Sequence, residues 1–428
     1  MSFDVYYLLI PFCITLVIGV PIAMSLGLGA ICYLLLAGTL PASVMTQQMY
    51  NSAASFPLMA IPFFILAGGI MNESGITQRL LDFCKILLQR YRGGLGHSMV
   101  LTGTVFSGLC GSATADTAAT TRILAPSMLK EGYPREFTAG LGAATGVLGA
   151  VIPPSALMIV YAATVGTSVG AMFMGGVGPG LLISAFLMIT VAIIARKRGY
   201  PKSDIPFSWI KLLFGLKDAS LALVMPVLII VGIRGGIFTP TEGGAVAVAY
   251  SLFIGLCVFR TLTWKRIFDT AVTSGIMAAT IMLIVSASAP FGWIITIGRL
   301  PAIVAEQMLA LTTNPILVLL MINLILLVVG MFLEGAAVIL LLAPILAPIA
   351  VAVGIDPLHF AVVMVVNISI GLITPPAGIN LFVAAPIAGA EVGSVFRSVM
   401  PFLAAQLLVL AIISFYPPII TWLPNTFR

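Results

Sequence analysis

Two stretches of this chain combine glycine with hydroxyl and carboxyl side chains, and each is followed by a proline pair. The first is Ser107-Gly-Leu-Cys-Gly-Ser-Ala-Thr-Ala-Asp-Thr117, followed by Gly146-Val-Leu-Gly-Ala-Val-Ile-Pro-Pro-Ser155. The second is Val329-Gly-Met-Phe-Leu-Glu-Gly-Ala-Ala337, followed by Ser369-Ile-Gly-Leu-Ile-Thr-Pro-Pro-Ala377. Proline lacks an amide donor and clashes with the preceding helical turn, and it pushes its predecessor out of the α region. Pro153-Pro154 and Pro375-Pro376 therefore read as breaks within helices. Carbonyls freed at such a break form an oxygen-rich cup for a cation, and the next half-helix turns its N-terminal amides toward an anion. Oxygen ligands without strong fixed charge suit a hard cation such as sodium better than a soft metal. Candidate sodium ligands are Gly111, Ser112, Thr114, Thr145 and Val151 in the first set. Glu334, Gly335, Asn367, Gly371 and Thr374 make the second. Ser155 and Asn380, just past the proline pairs, and Asp116, beside the first cluster, are candidate substrate contacts. A single cluster would fit tight helix packing and kinks equally well. The recurrence of both kinds of block together favours binding.

Other chemistries are excluded or weak. No G-K-[ST] phosphate loop occurs, so an ion gradient or a separate subunit must supply any energy. Gly176-Val-Gly-Pro-Gly180 follows no strand and reads as a loop or helix end rather than a nucleotide loop. Five scattered cysteines show no paired spacing, which argues against a disulfide framework and a metal site. They read as small buried hydrophobes. A hydrolase built on Ser112 and Asp116 would need a base, and His97 and His359 lie in poor contexts for one. The chain reads as a non-enzyme without a cofactor, with sodium as coupling ion. Among sparse charges, Asp116, Arg122, Glu242, Glu334 and Glu391 are flanked by small or apolar residues. Ionisable groups at membrane depth are costly and point to function.

The elements that must hold these groups are membrane helices. Of 428 residues, 60% are hydrophobic and 8% charged, against about a quarter charged in soluble domains. Tyr6 to Leu40, Pro315 to Leu333 and Phe402 to Asn425 contain no charge, and Ile267 to Gly298 contains only Asp269. A span takes about 20 apolar residues, which gives an all-α polytopic membrane protein of about ten to twelve spans. No basic n-region precedes the first apolar run, so it reads as a retained segment rather than a cleaved signal. Net charge is +6, which fits basic cytoplasmic loops and gives no reason to expect nucleic acid.

The chain divides into two related halves. At the single offset that carries Gly108 onto Gly330, Leu124-Ala-Pro126 falls on Leu346-Ala-Pro348, and Pro153-Pro154 on Pro375-Pro376. Gly132 falls on Gly354, Gly149 on Gly371, and Pro179 on Pro401. Repeated prolines in register mark an internal duplication. The first half is 1–195, with a re-entrant hairpin near 96–131 and a broken helix near 136–165. The second is 219–428, with a hairpin near 315–353 and a broken helix near 357–388. Between them, 196–218 reads as a basic amphipathic cytoplasmic connector, and Thr77 to Arg92 as a second interfacial segment. Such halves are expected to be inverted in the membrane, as in secondary transporters.

At these residues the chain resembles the DctM family, the large membrane subunit of tripartite ATP-independent periplasmic (TRAP) transporters. The most specific element is Gly235-Gly-Ile-Phe-Thr-Pro-Thr-Glu-Gly-Gly-Ala245, similar to the family's G-x-x-T-P-T-E-x-[AG]-A signature. The stretches 111–116, 152–155 and 374–380 are also similar. The resemblance implies a bacterial inner-membrane, multi-pass protein of the ion-transporter superfamily, whose hairpin-bearing transport domain slides past a scaffold as an elevator. It implies sodium-coupled uptake of a carboxylate such as a C4-dicarboxylate, sialic acid or sugar acid. Its implied partners are a periplasmic substrate-binding protein, a small four-helix membrane subunit expected as a separate polypeptide, and membrane lipid. The competing reading is a stand-alone sodium/dicarboxylate symporter without a binding protein. Gly111-Ser-Ala-Thr114 and Leu333-Glu-Gly-Ala336 stand where that class carries Ser-Asn-Thr tips.

Overall fold

The computed structural model describes residues 5–38, 41–200, 202 and 209–426. All regular structure among them is helical. The chain opens with α1 (Tyr6–Val17), α2 (Ile22–Ala37) and α3 (Ser43–Ala53), followed by α4 (Ala60–Glu73) and α5 (Ile76–Leu88). Next come α6 (Gly94–Cys110), α7 (Ala113–Lys130), α8 (Arg135–Gly146), the single turn α9 (Leu148–Val151), and α10 (Ala156–Val165). The long α11 (Val169–Arg198) closes the first half. The second half runs through α12 (Trp209–Arg234), α13 (Pro240–Phe253), α14 (Trp264–Ile297) and α15 (Leu300–Leu311). It continues with α16 (Pro315–Gly330), α17 (Gly335–Ala352), α18 (Pro357–Gly371), α19 (Ile379–Ala388), α20 (Val392–Phe415) and α21 (Pro418–Thr426).

Seven of the described helices are long and apolar enough to cross a membrane, or eight with the bent unit 135–165 counted as one. The sequence suggests ten to twelve. The difference arises because many apolar runs form helices of 10–17 residues, too short for a full span of about 20 residues. Local chemistry explains where they stop. Gly111 takes φ +66° and ends α6, a left-handed conformation that costs other residues about 1–2 kcal/mol. The Val151 end of α9 gives way to extended Ile152 and the cis Pro153-Pro154 bond, and Ser155 caps α10 by accepting from Met158 N at 3.3 Å. The two parts of this unit are bent by 40°. In the second half, α18 stops at Gly371 and α19 starts at Ile379, with Pro375-Pro376 between them, also cis. The signature Thr239-Pro-Thr-Glu242 forms a capping box at the start of α13, with Thr239 N donating to Glu242 Oε2 at 2.7 Å.

The ends of the bundle differ. Lys85 lies 3.3 Å from Ser127 Oγ, Arg135 Nη1 donates to Gly389 O at 3.2 Å, and the Tyr133 and Tyr200 rings are 4.7 Å apart. The foot of the α6–α7 pair therefore lies at the end where Arg196, Lys197 and Arg198 close α11. Thr261 Oγ1 donates to Ser74 O at 2.8 Å, which brings Arg260, Lys265 and Arg266 to the same end. The foot of α17 lies at the other end, where Val351 and Pro357 share a cavity with Val165 and Thr167. The two helix pairs thus approach the middle of the bundle from opposite ends.

Residues 201 and 203–208 of the basic connector lie outside the described residues. Trp209 begins α12, which continues without interruption to Arg234. The segment from Thr77 is α5, buried along Ile76, Thr77, Leu80, Leu81 and Cys84, with Arg79 3.4 Å from the centre of the Phe259 ring.

Candidate functional site

Both helix-pair tips and both breaks border one small cavity. A cavity of about 140 Å³ is lined by Gly111, Ser112 and Thr114 from the first tip, and by Glu334 and Gly335 from the second. Ala150 and Ala156 border it from either side of the first break, and Leu372 and Ile379 from either side of the second. Ile281, in the middle of α14, closes it. The lining includes the first residues of α7, α10, α17 and α19. Helix N-termini carry unpaired amides and partial positive charge. Their dipoles favour negative charge there, although part of that demand is met within the chain: Ala156 N donates to Gly111 O, Asn380 N to Leu372 O and Met158 N to Ser155 Oγ.

The first tip is locked to the first break. Ala156 N donates to Gly111 O at 3.1 Å, and a Cβ on residue 111 would overlap the Pro154 carbonyl. Ser112 and Thr114 hydroxyls lie 3.2 Å apart. Asp116 is fully buried in the first turn of α7, with its carboxylate against Gly149 of α9. Ser155 Oγ donates to Ala150 O at 2.6 Å. In the second half, Thr374 Oγ1 donates to Ile370 O at 2.8 Å, and Gly371 packs on the backbone of Gly330. Asn367 Nδ2 donates to Asn323 Oδ1 at 2.8 Å, and Asn323 Nδ2 donates to Ser414 Oγ at 3.0 Å.

Of the candidate residues, Gly111, Ser112, Thr114, Glu334 and Gly335 line the cavity. Val151 lies behind it with its carbonyl toward Gly176 of α11, and Thr145 is buried against Gly103 of α6. Asn380 Nδ2 lies 3.4 Å from Ala143 O. Asn367, Gly371, Thr374, Ser155, Asp116 and the four prolines are not among the cavity's lining residues. Four oxygens of the candidate residues are buried with no hydrogen-bond partner: Thr145 Oγ1, Glu334 Oε2, Asn367 Oδ1 and Asn380 Oδ1. Such atoms are costly unless something else satisfies them. Oxygen donors of this kind fit a hard cation. Arg122, Glu242 and Glu391 are exposed, unlike Asp116.

Sequence reasoning missed three contributors. Asn323 and Gln406 are uncharged amides in runs without charges, and neither charge nor spacing singles them out. The third is α14, whose 34 residues run past three spaces in succession. Thr270 to Met277 border a cavity of about 390 Å³ that reaches from Ser112 to Glu73, Arg266 and Asp269 at the basic end. Ile281 borders the central space. Val285 to Thr296 border a cavity of about 420 Å³ lined also by Gln48, Asn51 and Ser55. Nothing in the apolar run of α14 marks it as a wall of these three spaces.

Comparison with known proteins agrees with this architecture. The family model described as the tripartite ATP-independent periplasmic transporter, DctM component, matches residues 9–419. The chain is 39% identical to the C4-dicarboxylate TRAP transporter large permease protein DctM of Vibrio cholerae, covering 96% of this chain and 95% of that one. It is 39% identical to the sialic acid TRAP transporter large permease protein SiaM of the same organism, covering 96% of each. It is 41% identical to the isethionate TRAP transporter permease protein DctMQ of Oleidesulfovibrio alaskensis, over 95% of this chain and 64% of that longer protein. Among solved structures, the Alcanivorax borkumensis YdaH transporter superposes with a TM-score of 0.64 at 15% identity, covering 88% of this chain and 89% of that one. That likeness concerns the fold alone.

Proposed function

This chain belongs to the DctM component family of tripartite ATP-independent periplasmic transporters, and from that premise we propose that it carries an organic anion inward on a sodium gradient. It is a multi-pass membrane permease and not an enzyme. In the proposal it lies in the bacterial inner membrane with its basic end in the cytoplasm, where positive loops accumulate. It receives substrate from a periplasmic binding protein and works with a small membrane subunit. The substrate is a carboxylate of the kind named for its relatives, a C4-dicarboxylate or sialic acid, or a sugar acid.

One observation carries the reading: four helix N-termini and two sets of interrupted backbone surround a single small space. The N-termini stabilise the anion, and the freed carbonyls and unpartnered oxygens beside them take sodium. Binding of the cation favours the anion by direct attraction at short range, which couples the two. The helix pairs entering from opposite ends support inverted halves. The α14 wall then serves as a scaffold past which the hairpins and broken helices slide in an elevator motion, exposing the site first to the Gln48 side and then to the Arg266 side.

The test is uptake of labelled succinate and sialic acid into proteoliposomes that contain this chain, its small subunit and its binding protein. The proposal expects uptake that requires an inward sodium gradient and each protein component. Uptake by this chain alone would instead favour a stand-alone symporter, and sodium-independent uptake would remove the ion assignment.

A further inference from the structure

Gln406 is fully buried in the middle of α20, within the charge-free run from Phe402 to Asn425. Its Nε2 donates to the Ala144 carbonyl at 2.8 Å, across 262 residues of sequence. Ala144 lies in the last turn of α8, which ends at Gly146 before the turn at Val147. The last carbonyls of a helix lack an amide four residues on, and in apolar surroundings each must find another donor. Gln406 supplies one. The neighbouring carbonyl, of Ala143, is approached by Asn380 Nδ2 at 3.4 Å. Amides from two helices of the second half therefore meet consecutive carbonyls at the point where the first-half helix is about to break.

The geometry points to Gln406 as a positioning residue for the first break. By holding the last turn of α8 it fixes the direction in which Leu148–Val151 and the proline pair leave, and so where their carbonyls stand relative to Ser112 and Asp116. Gln406 does not border the cavity. Its role follows from the donor it presents: a side chain of the same shape without an N–H would leave the Ala144 carbonyl unpaired and the break free to shift. The Gln406 oxygen, buried with no partner of its own, contributes nothing to packing that methionine could not supply. The same bond ties α8 to α20. The functional part of this inference rests on the sodium-coupled reading above.

The experiment compares Gln406→Met and Gln406→Leu with wild type in the complete transporter. Hydrogen exchange is followed at the amides of 147–152, together with the sodium half-saturation and the substrate half-saturation of labelled succinate and sialic acid uptake. The expected result is at least tenfold faster exchange at 147–152, at least fivefold higher sodium half-saturation, and substrate half-saturation at saturating sodium within twofold of wild type. Unchanged exchange in both folded variants would overturn the proposal. So would equal rises in both half-saturations, which would indicate a general loss of packing. A wild-type transporter indifferent to sodium would sink the proposed function instead, and the exchange result alone would then decide on Gln406. Should neither variant fold, Gln406→Asn supplies the comparison: one methylene shorter, its amide falls short of Ala144 O, and unchanged exchange at 147–152 would overturn the assignment.

Discussion

Asn367 Nδ2 lies 2.8 Å from Asn323 Oδ1 and 3.0 Å from the Asn323 backbone carbonyl, which ties the broken helix α18 to the first arm of the second helix pair. Both residues are buried, and Asn323 in turn bonds Ser414 of α20. In water-soluble proteins an orphaned buried amide costs about 1–3 kcal/mol. Within a membrane the unfolded reference also finds partners, and measured values fall to about 0.6 kcal/mol on average. Asn323→Leu should therefore destabilise the chain by about 1 kcal/mol. The double variant with Asn367→Leu should lose less than the sum of the two. Reversible unfolding in detergent measures both, and strict additivity would mean that the pair is not coupled.

Replacing Pro153-Pro154 by two alanines restores amide donors and removes the clash with the preceding turn. The break then closes toward continuous helix and the cup of free carbonyls is lost. The same holds for Pro375-Pro376. Each double substitution should raise the sodium half-saturation of uptake at least tenfold. Unchanged sodium dependence in both would count against carbonyl ligation at the breaks.

Gly111→Ala meets two penalties at once. Its φ of +66° costs an alanine about 1–2 kcal/mol, and the new methyl runs into the Pro154 carbonyl. The tip must shift away from the break, so uptake should fall at least tenfold while the protein remains folded. Wild-type uptake by this variant would show that the contact between tip and break is dispensable.

Among the described residues, Glu334 contributes the one carboxyl group that borders the central cavity, and its Oε2 is buried with no hydrogen-bond partner. Glu334→Gln keeps the shape and replaces one carboxyl oxygen by an amide nitrogen that cannot ligate a cation. A sodium ligand of this kind should show a half-saturation for sodium raised about tenfold, read from initial rates of uptake. A change in substrate half-saturation alone would place Glu334 at the anion instead.

The helical membrane class could be read from composition alone, because 8% charge leaves too little polar surface for a soluble fold. The interruptions at Pro153-Pro154 and Pro375-Pro376 were equally legible, since proline's missing donor acts locally. The contribution of α14 was not. Ile281 looks like any other apolar residue, and its place at the centre of the cavity depends on how distant helices pack. Asn323 and Gln406 left only a faint signal, an uncharged amide in an apolar run. Their partners, Asn367 and Ala144, are far away in sequence and could not be named from it. Val151 illustrates the opposite limit: its place at a break was readable, but its carbonyl direction, toward Gly176, is set by the packing of α11.

The central claim is that anion and sodium share the space between the two tips and the two breaks. A cryo-electron microscopy structure of this chain with its small subunit, in sodium and saturating succinate or sialic acid, tests it most directly. The account predicts ligand density between Ser112 and Glu334, with ion density beside the breaks at Pro153-Pro154 and Pro375-Pro376. An empty central cavity, with the anion held only in the larger space near Arg266 and Asp269, would contradict it.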